Sequence, residues 1–405
     1  MSAQINKTET PKMSRYLELQ KNHSFYDTPY DMLVQCEEVR QGLPGASMAT
    51  CVSSTILGIY SGYLLPFVCT FGFLANVWTS VLFLLGFRRP TRQLVYLAFL
   101  AIANAAIHVL WGWLWLFPAK GLPFMTRARV YYFTFSQSQE ACRLHRFAYS
   151  FGSTLSANLL LLAASDRFMC TYWPVKMLRF QRRHAYYAVI AVTVLSGVMM
   201  LPLGICVEWV TIGEKVWCWI DSKYSGLDVY HALFSNACVI QPLCTGVLNI
   251  CFLVKIRQLL HKRAQLSSSI GSKDRRDLAA SETLVVITLV TLCTALPQSA
   301  AYNAAFVLSR RPNTQEQTSL AFNISDIMWC VMLTQTACNI IVYLVRMSAF
   351  RKMSLSVIKC QGFRRRQVEG TNDQNKTFQV NMSTQRSNPE NITTSGAATF
   401  RIGSD

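Results

Sequence analysis

Residues 142–168 read CRLHRFAYSFGSTLSANLLLLAASDRF. Between Arg146 and Asp166 no side chain is charged. A run of about 20 such residues is the length a helix needs to cross roughly 30 Å of hydrocarbon. Runs of the same kind recur on both sides of it. Seven candidates lie near 56–87, 93–117, 140–172, 184–210, 228–260, 279–309 and 319–345. They predict an all-α membrane protein, a seven-transmembrane helix bundle over 56–345. The composition agrees: of 405 residues 51% are hydrophobic and only 15% charged, which excludes a disordered polymer, a collagen or a small disulfide scaffold.

The net charge is +18, and its placement sets an orientation. With the N-terminus outside, basic side chains collect at Arg88, Arg89 and Arg92, in 166–183, in 255–282 and in the tail after Val345. Lys and Arg at span ends are retained on the cytoplasmic side, so the protein is expected to be multi-pass in the plasma membrane with an extracellular N-terminus. The basic excess then reports topology and attraction to anionic lipid of the bilayer. It does not report nucleic acid, because no basic stripe with interleaved aromatics sits on a soluble domain.

Residues 1–55 are polar and contain the sequons Asn6-Lys7-Thr8 and Asn22-His23-Ser24. Both Asn6 and Asn22 would be glycosylated in an extracellular segment. No basic segment followed by a short apolar core opens the chain, so the first span is expected to direct its own insertion. Residues 362–405 are rich in Ser, Thr, Asn and Gln and are expected to be disordered. Their cluster Thr371, Thr377, Ser383, Thr384, Thr393, Thr394 and Ser395 would become acidic on phosphorylation and readable by an arrestin.

Most of the 14 cysteines lie inside spans, where a small polarizable side chain in a packed helix is the usual reading. Cys142, at the head of the third span, and Cys218, in Val216-Trp217-Cys218-Trp219-Ile220, both face the oxidising side. A disulfide between them would tether a loop, read as a small hairpin, to the third helix. Cys36 and Cys51 are on the same side, and nothing in the sequence fixes whether they pair.

Seven spans with a Cys at the head of the third and Asp166-Arg167-Phe168 at its foot resemble a rhodopsin-like G-protein-coupled receptor. Cys142 and Arg167 are 25 residues apart, about seven helical turns. Gly72-Phe73-Leu74-Ala75-Asn76, Leu100-Ala101-Ile102-Ala103-Asn104, Pro242, Pro297 and Asn339-Ile340-Ile341-Val342-Tyr343 fall in register with the family. Residues 346–361, with Ser348-Ala349-Phe350-Arg351-Lys352, are similar to its short amphipathic eighth helix. The resemblance implies a switch in which Arg167 is held by Asp166 and Asp277 until the sixth helix swings and a heterotrimeric G protein binds. It also implies helix kinks at Pro242 and Pro297, and a polar cluster of Asn76, Asn104, Ser156 and Asn339. Asn104 stands where many relatives carry a sodium-binding carboxylate, so no strong sodium site is expected.

The chain departs from the family at Ala295, where a tryptophan is usual, and at Thr193, Ile250 and Ile340. These positions bear on the activation route more than on the fold. Tyr149 replaces the aspartate of amine receptors and Leu333 the retinal lysine of opsins, so neither ligand is expected. Candidate ligand-binding residues are His108, Trp111, Arg146, Tyr149, Ser153, Gln298, Tyr302, Asp326 and Trp329. An aromatic lining with a few convergent polar groups suits a peptide. No cofactor, metal or enzymatic motif is expected in the spans. A receptor fold that does not signal, acting as a decoy or scaffold, is the alternative; a transporter would show matched broken helices in two halves, which the seven unlike spans lack.

Overall fold

The computed structural model describes residues 15–43, 46–87, 90–177, 179–212, 214–234, 239–265, 272–309, 311 and 314–359. Its seven membrane-length helices are Met48–Gly86, Arg92–Thr126, Gln139–Tyr172, Arg182–Cys206, Ile240–Gln258, Val285–Leu308 and Glu316–Arg346. All seven predicted spans are present, and the protein is a seven-transmembrane bundle. A helix over Ser348–Ile358 follows the last span. Residues 360–405 lie outside the described residues.

The first span begins eight residues earlier than the hydropathy suggested. Ser47 caps it by accepting from the Thr50 N–H at 3.2 Å, and a run of hydroxyls follows. These return their protons to the helix's own carbonyls: Ser53 to Thr50 at 3.0 Å, Thr55 to Cys51 at 2.8 Å and Ser61 to Leu57 at 2.6 Å. A polar run can therefore be carried in a membrane helix without unpaired groups.

The first two spans are not α-helical throughout. Tyr60–Leu64 in the first and His108–Gly121 in the second are π-helical, with Leu65 N–H bonding Tyr60 O and Leu122 N–H bonding Phe117 O. Pro66 follows the first segment and Pro118 lies inside the second. A proline withholds one i→i−4 bond and crowds the preceding turn, and widening to i→i−5 relieves both. The second span thus continues past Pro118 to Thr126, nine residues beyond the predicted end at 117. The widened stretches meet face to face, since a Cβ on Gly121 would stand 2.3 Å from Ser61 O.

The predicted fourth span ran to 210. The helix stops at Cys206, and Val207–Ile212 forms strand β1, paired antiparallel with β2, Lys215–Ile220. Cys218 lies opposite Trp209 in the register and is bonded to Cys142, as the topology favoured. The N-terminal segment adds itself to the free edge of β2. Tyr26 N–H donates to Val216 O at 2.9 Å and Val216 N–H to Ser24 O at 2.8 Å. Phe25 meets Trp209 edge-on, and Tyr26 lies over Trp217 at 5.1 Å. This covers a strand edge that would otherwise be open to pairing. Two short helices flank the contact, α1 (Arg15–Lys21) and α2 (Asp31–Arg40). A second disulfide, Cys36–Cys51, fastens α2 to the first span, so the polar N-terminal region is folded from Arg15 onward.

Two cores result. One, at the level of the spans, gathers Leu57, Leu65, Trp111, Tyr149, Trp329 and Leu333; lipid is as apolar as these side chains, so close packing holds it together. The other surrounds the Cys142–Cys218 bond with Phe133, Phe135, Met200, Leu203 and Ile220.

The fifth span differs from the expectation of a kink at Pro242. It is built as Ser225–Phe234 and Ile240–Gln265, and Pro242 lies in the first turn of the second piece, where its missing N–H has no intrahelical partner to lose. Phe234 O accepts from the Thr154 hydroxyl at 3.0 Å. The sixth helix, Ser272–Leu308, contains Pro297 and stays helical through it.

Candidate functional site

Two cavities among the described residues lie in the bundle on the hairpin side of Arg167. The wider, a vestibule of about 610 Å³, is walled by the second, third, sixth and seventh spans, the hairpin and the N-terminal segment. Below it a cavity of about 80 Å³ reaches from Trp329 and Ser153 to Asn104, Ser156 and Asn339.

Of the predicted ligand residues, Trp111, Arg146, Tyr149, Tyr302 and Asp326 line the vestibule. Trp111 stacks on Trp329 at 3.9 Å and meets Tyr149 edge-on at 4.8 Å. Arg146 is held on three sides: it donates to Cys218 O at 2.9 Å, donates to the Tyr149 hydroxyl, and lies 4.6 Å over Trp219. Tyr302 pairs with His231 at 3.4 Å. Ser153, Gln298 and Trp329 line the lower cavity instead, with Gln298 donating to Ser325 at 3.3 Å. His108 lines neither. It is fully buried against the first and seventh spans, 3.3 Å from the Thr336 hydroxyl, and it occupies the space a Cβ on Gly72 would need.

Several vestibule residues were not singled out from the sequence. Lys120, three residues past the assumed span end, is buried and paired with Asp31 of α2 at 3.4 Å. Asn323 ties the seventh span to Gln35 at 2.8 Å and to Ser53 at 3.0 Å. Asp27 faces the vestibule beside Trp217. Burial pushes its carboxyl up from the usual carboxylate range, and the charges of Lys120 and Arg146 draw it back down. The only sequence signal for this wall was its polarity, which also fits a solvated tail.

The polar cluster divides into local pairs. Ser156 donates to Asn104 at 2.8 Å, Asn76 to Thr336 O at 3.2 Å, and Gln335 to Asn339 at 3.0 Å. Among the described residues no group of three or more His, Cys, Asp or Glu could hold a metal ion. The lower cavity is mainly apolar, with a few amides and hydroxyls and no carboxylate in its lining, so it lacks the charge a bare cation needs. Replacing potassium by sodium at constant ionic strength is therefore expected to leave the thermal midpoint of the purified protein unchanged. A rise with sodium that Asn104→Ala removes would contradict this.

At the opposite end Asp166 pairs with Arg92 of the second span at 3.5 Å, in place of the expected Arg167. Neighbours in a helix point about 100° apart, so the two side chains diverge. Arg167 is buried and donates to Gln93 at 3.4 Å. Asp277 stands in the sixth helix, its side chain outside the described residues. Phe168 stacks on Tyr172 at 4.4 Å. Tyr343 is enclosed by Phe83 at 5.2 Å and Phe350 at 5.7 Å, while Ile250, the family's tyrosine position, is 59% exposed on the outside of the bundle.

The sequence model of the 7 transmembrane receptor (rhodopsin family) matches residues 75–343, from before Asn76 to Tyr343. The chain belongs to the rhodopsin family of seven-transmembrane receptors. Its members are receptors that bind extracellular ligands and G proteins. No curated protein matches this receptor. Its departures become geometric here: Ala295 is buried at the lower cavity, where an indole would reach into the open space, and Thr193 bonds its own helix at Val189 O.

Proposed function

We propose that this receptor binds a peptide in the vestibule from the extracellular side and activates a heterotrimeric G protein through Arg167. The observation that carries the reading is the vestibule itself. At about 610 Å³ it lies in the range of ligand sites, and aromatic faces alternate there with fixed donors and acceptors. The orientation rests on the two disulfides, Cys36–Cys51 and Cys142–Cys218, which share the hairpin end and form in an oxidising compartment. The N-terminus and hairpin are then extracellular and the receptor sits in the plasma membrane. Asn22, exposed in the turn after α1, is a glycan acceptor in that orientation; Asn6 and the arrestin-directed tail lie outside the described residues.

Activation is a population shift. A ligand that binds the open cytoplasmic form better draws the sixth helix outward and releases Arg167 toward the G protein. Guanine-nucleotide exchange in membranes bearing the receptor is expected to rise on addition of a tissue peptide extract. The rise should vanish after protease digestion of the extract and in Arg167→Ala, with surface expression intact. Exchange that survives digestion points to a lipid or metabolite. No exchange despite surface expression supports the decoy reading, which Ala295 and the enclosed Tyr343 favour.

A further inference from the structure

We propose that the vestibule contains a cation subsite between Asp27 of the N-terminal segment and Asp326 of the seventh span, suited to the basic group of a peptide. The inference rests on the reading of the vestibule as the ligand site and names one chemical requirement of that ligand. Its basis is a local surplus of carboxylates. Asp27, Asp31 and Asp326 line one cavity wall with Lys120. Asp31 is already committed: it accepts from Thr28 N–H at 3.1 Å, the Thr28 hydroxyl at 2.6 Å, Gln20 at 3.3 Å and Lys120 at 3.4 Å. The Lys120 ammonium forms its ion pair with Asp31 while its charge also reaches Asp27 and Asp326, so one ammonium faces three carboxylates. Arg146 is spent on Cys218 O, Tyr149 and the face of Trp219.

Asp27 and Asp326 remain. Asp27 stands beside Trp217, and among the described residues neither Asp27 nor Asp326 has an ion pair. Two carboxylates in a partly desolvated wall repel each other, and an incoming ammonium or guanidinium would relieve both.

A second, independent observation points to a ligand in the same cavity. Trp111 Nε1 and both ring nitrogens of His145 have no hydrogen-bond partner, although these side chains are only 4% and 6% exposed. Both residues line the vestibule. Buried donors without acceptors are costly, and an amide carbonyl beside the cation would satisfy the indole. Phe135 and Trp115 complete an apolar side. The chemistry recognised is a basic residue flanked by an amide and an apolar group.

The test uses the full-length receptor in lipid nanodiscs with two probes, acetyl-Phe-Arg amide and its neutral isostere acetyl-Phe-citrulline amide. The charged probe should bind with a dissociation constant of about 1 mM or below and at least about tenfold more tightly than the neutral one. Asp326→Asn and Asp27→Asn should each remove most of that preference, and Asp326→Glu should keep it. Equal binding of the two probes, no binding of the charged probe at about 1 mM, or a preference unchanged in both Asn variants would overturn the proposal. Retained binding of the neutral probe, with an unchanged thermal midpoint, shows that an Asn variant is folded. The readout is binding, so a receptor that never activates a G protein can still pass. One that signals but ignores the probe's charge fails this inference alone.

Discussion

Cells expressing Cys218→Ser are expected to lose most of the receptor from their surface, and Cys142→Ser should do the same, with the double variant no worse. The two residues are 76 apart in sequence, and cross-linking a loop of that size stabilises by about 4–5 kcal/mol in the chain-entropy description. That is a large share of the roughly 5–15 kcal/mol by which folded proteins exceed their unfolded states. Both sulfurs are also fully buried between Phe133, Phe135, Met200 and Leu203, so loss of the bond loosens the core that holds the hairpin over the vestibule. Surface biotinylation against total protein measures the effect. Equal surface fractions for wild type and Cys218→Ser would show that the hairpin is held without the bond. Cys36→Ser should cost less, about 3 kcal/mol, because its bond closes a separation of 15.

Gly121→Val is expected to be as damaging for a different reason. A Cβ at Gly121 would meet Ser61 O at 2.3 Å, Ser61 C at 2.4 Å and Gly62 N at 2.7 Å. These are backbone atoms, and no rotamer change moves them. The first and second spans would have to separate, breaking a contact that small residues make possible between membrane helices. The cost should reach or pass the upper end of the roughly 1–3 kcal/mol typical of overpacking. The thermal midpoint of detergent-purified receptor should fall by several degrees or more. Gly226→Ala, where nothing lies within 4 Å, should leave it unchanged. A Gly121→Val receptor that melts like wild type would mean the spans cross elsewhere.

Much of this architecture was legible in the sequence because its cause is one-dimensional. An uncharged run long enough to cross hydrocarbon is visible without knowing its neighbours, and all seven spans were found that way. What failed was where a span ends. Pro118 invites a stop in an α-helical reading, yet the π-helical stretch carries the second span on to Thr126. His108 was placed on the ligand wall by its depth in the span, and hydropathy does not reveal that its ring packs between Gly72 of the first span and Thr336 of the seventh. Asp166 was assigned to Arg167 by adjacency, and adjacency is the wrong measure on a helix, where the partner proved to be Arg92. The N-terminal contribution was illegible for a further reason. Tyr26, Asp27 and Asp31 are ordinary surface residues until Lys120, 89 residues beyond Asp31, and Val216 of β2, 190 beyond Tyr26, are brought beside them by folding.

The N-terminal segment also separates two kinds of constraint that a receptor must satisfy. Residues of the spans are bound to their neighbours by packing, and a change that suits a new ligand must also suit the helices around it. Asp27, Asp31 and Gln35 face the vestibule from a segment outside the bilayer, anchored by one strand edge, one ion pair and the Cys36–Cys51 bond. On the proposed reading of the vestibule as the ligand site, drift in the first forty residues would retune recognition while the helices stay as they are.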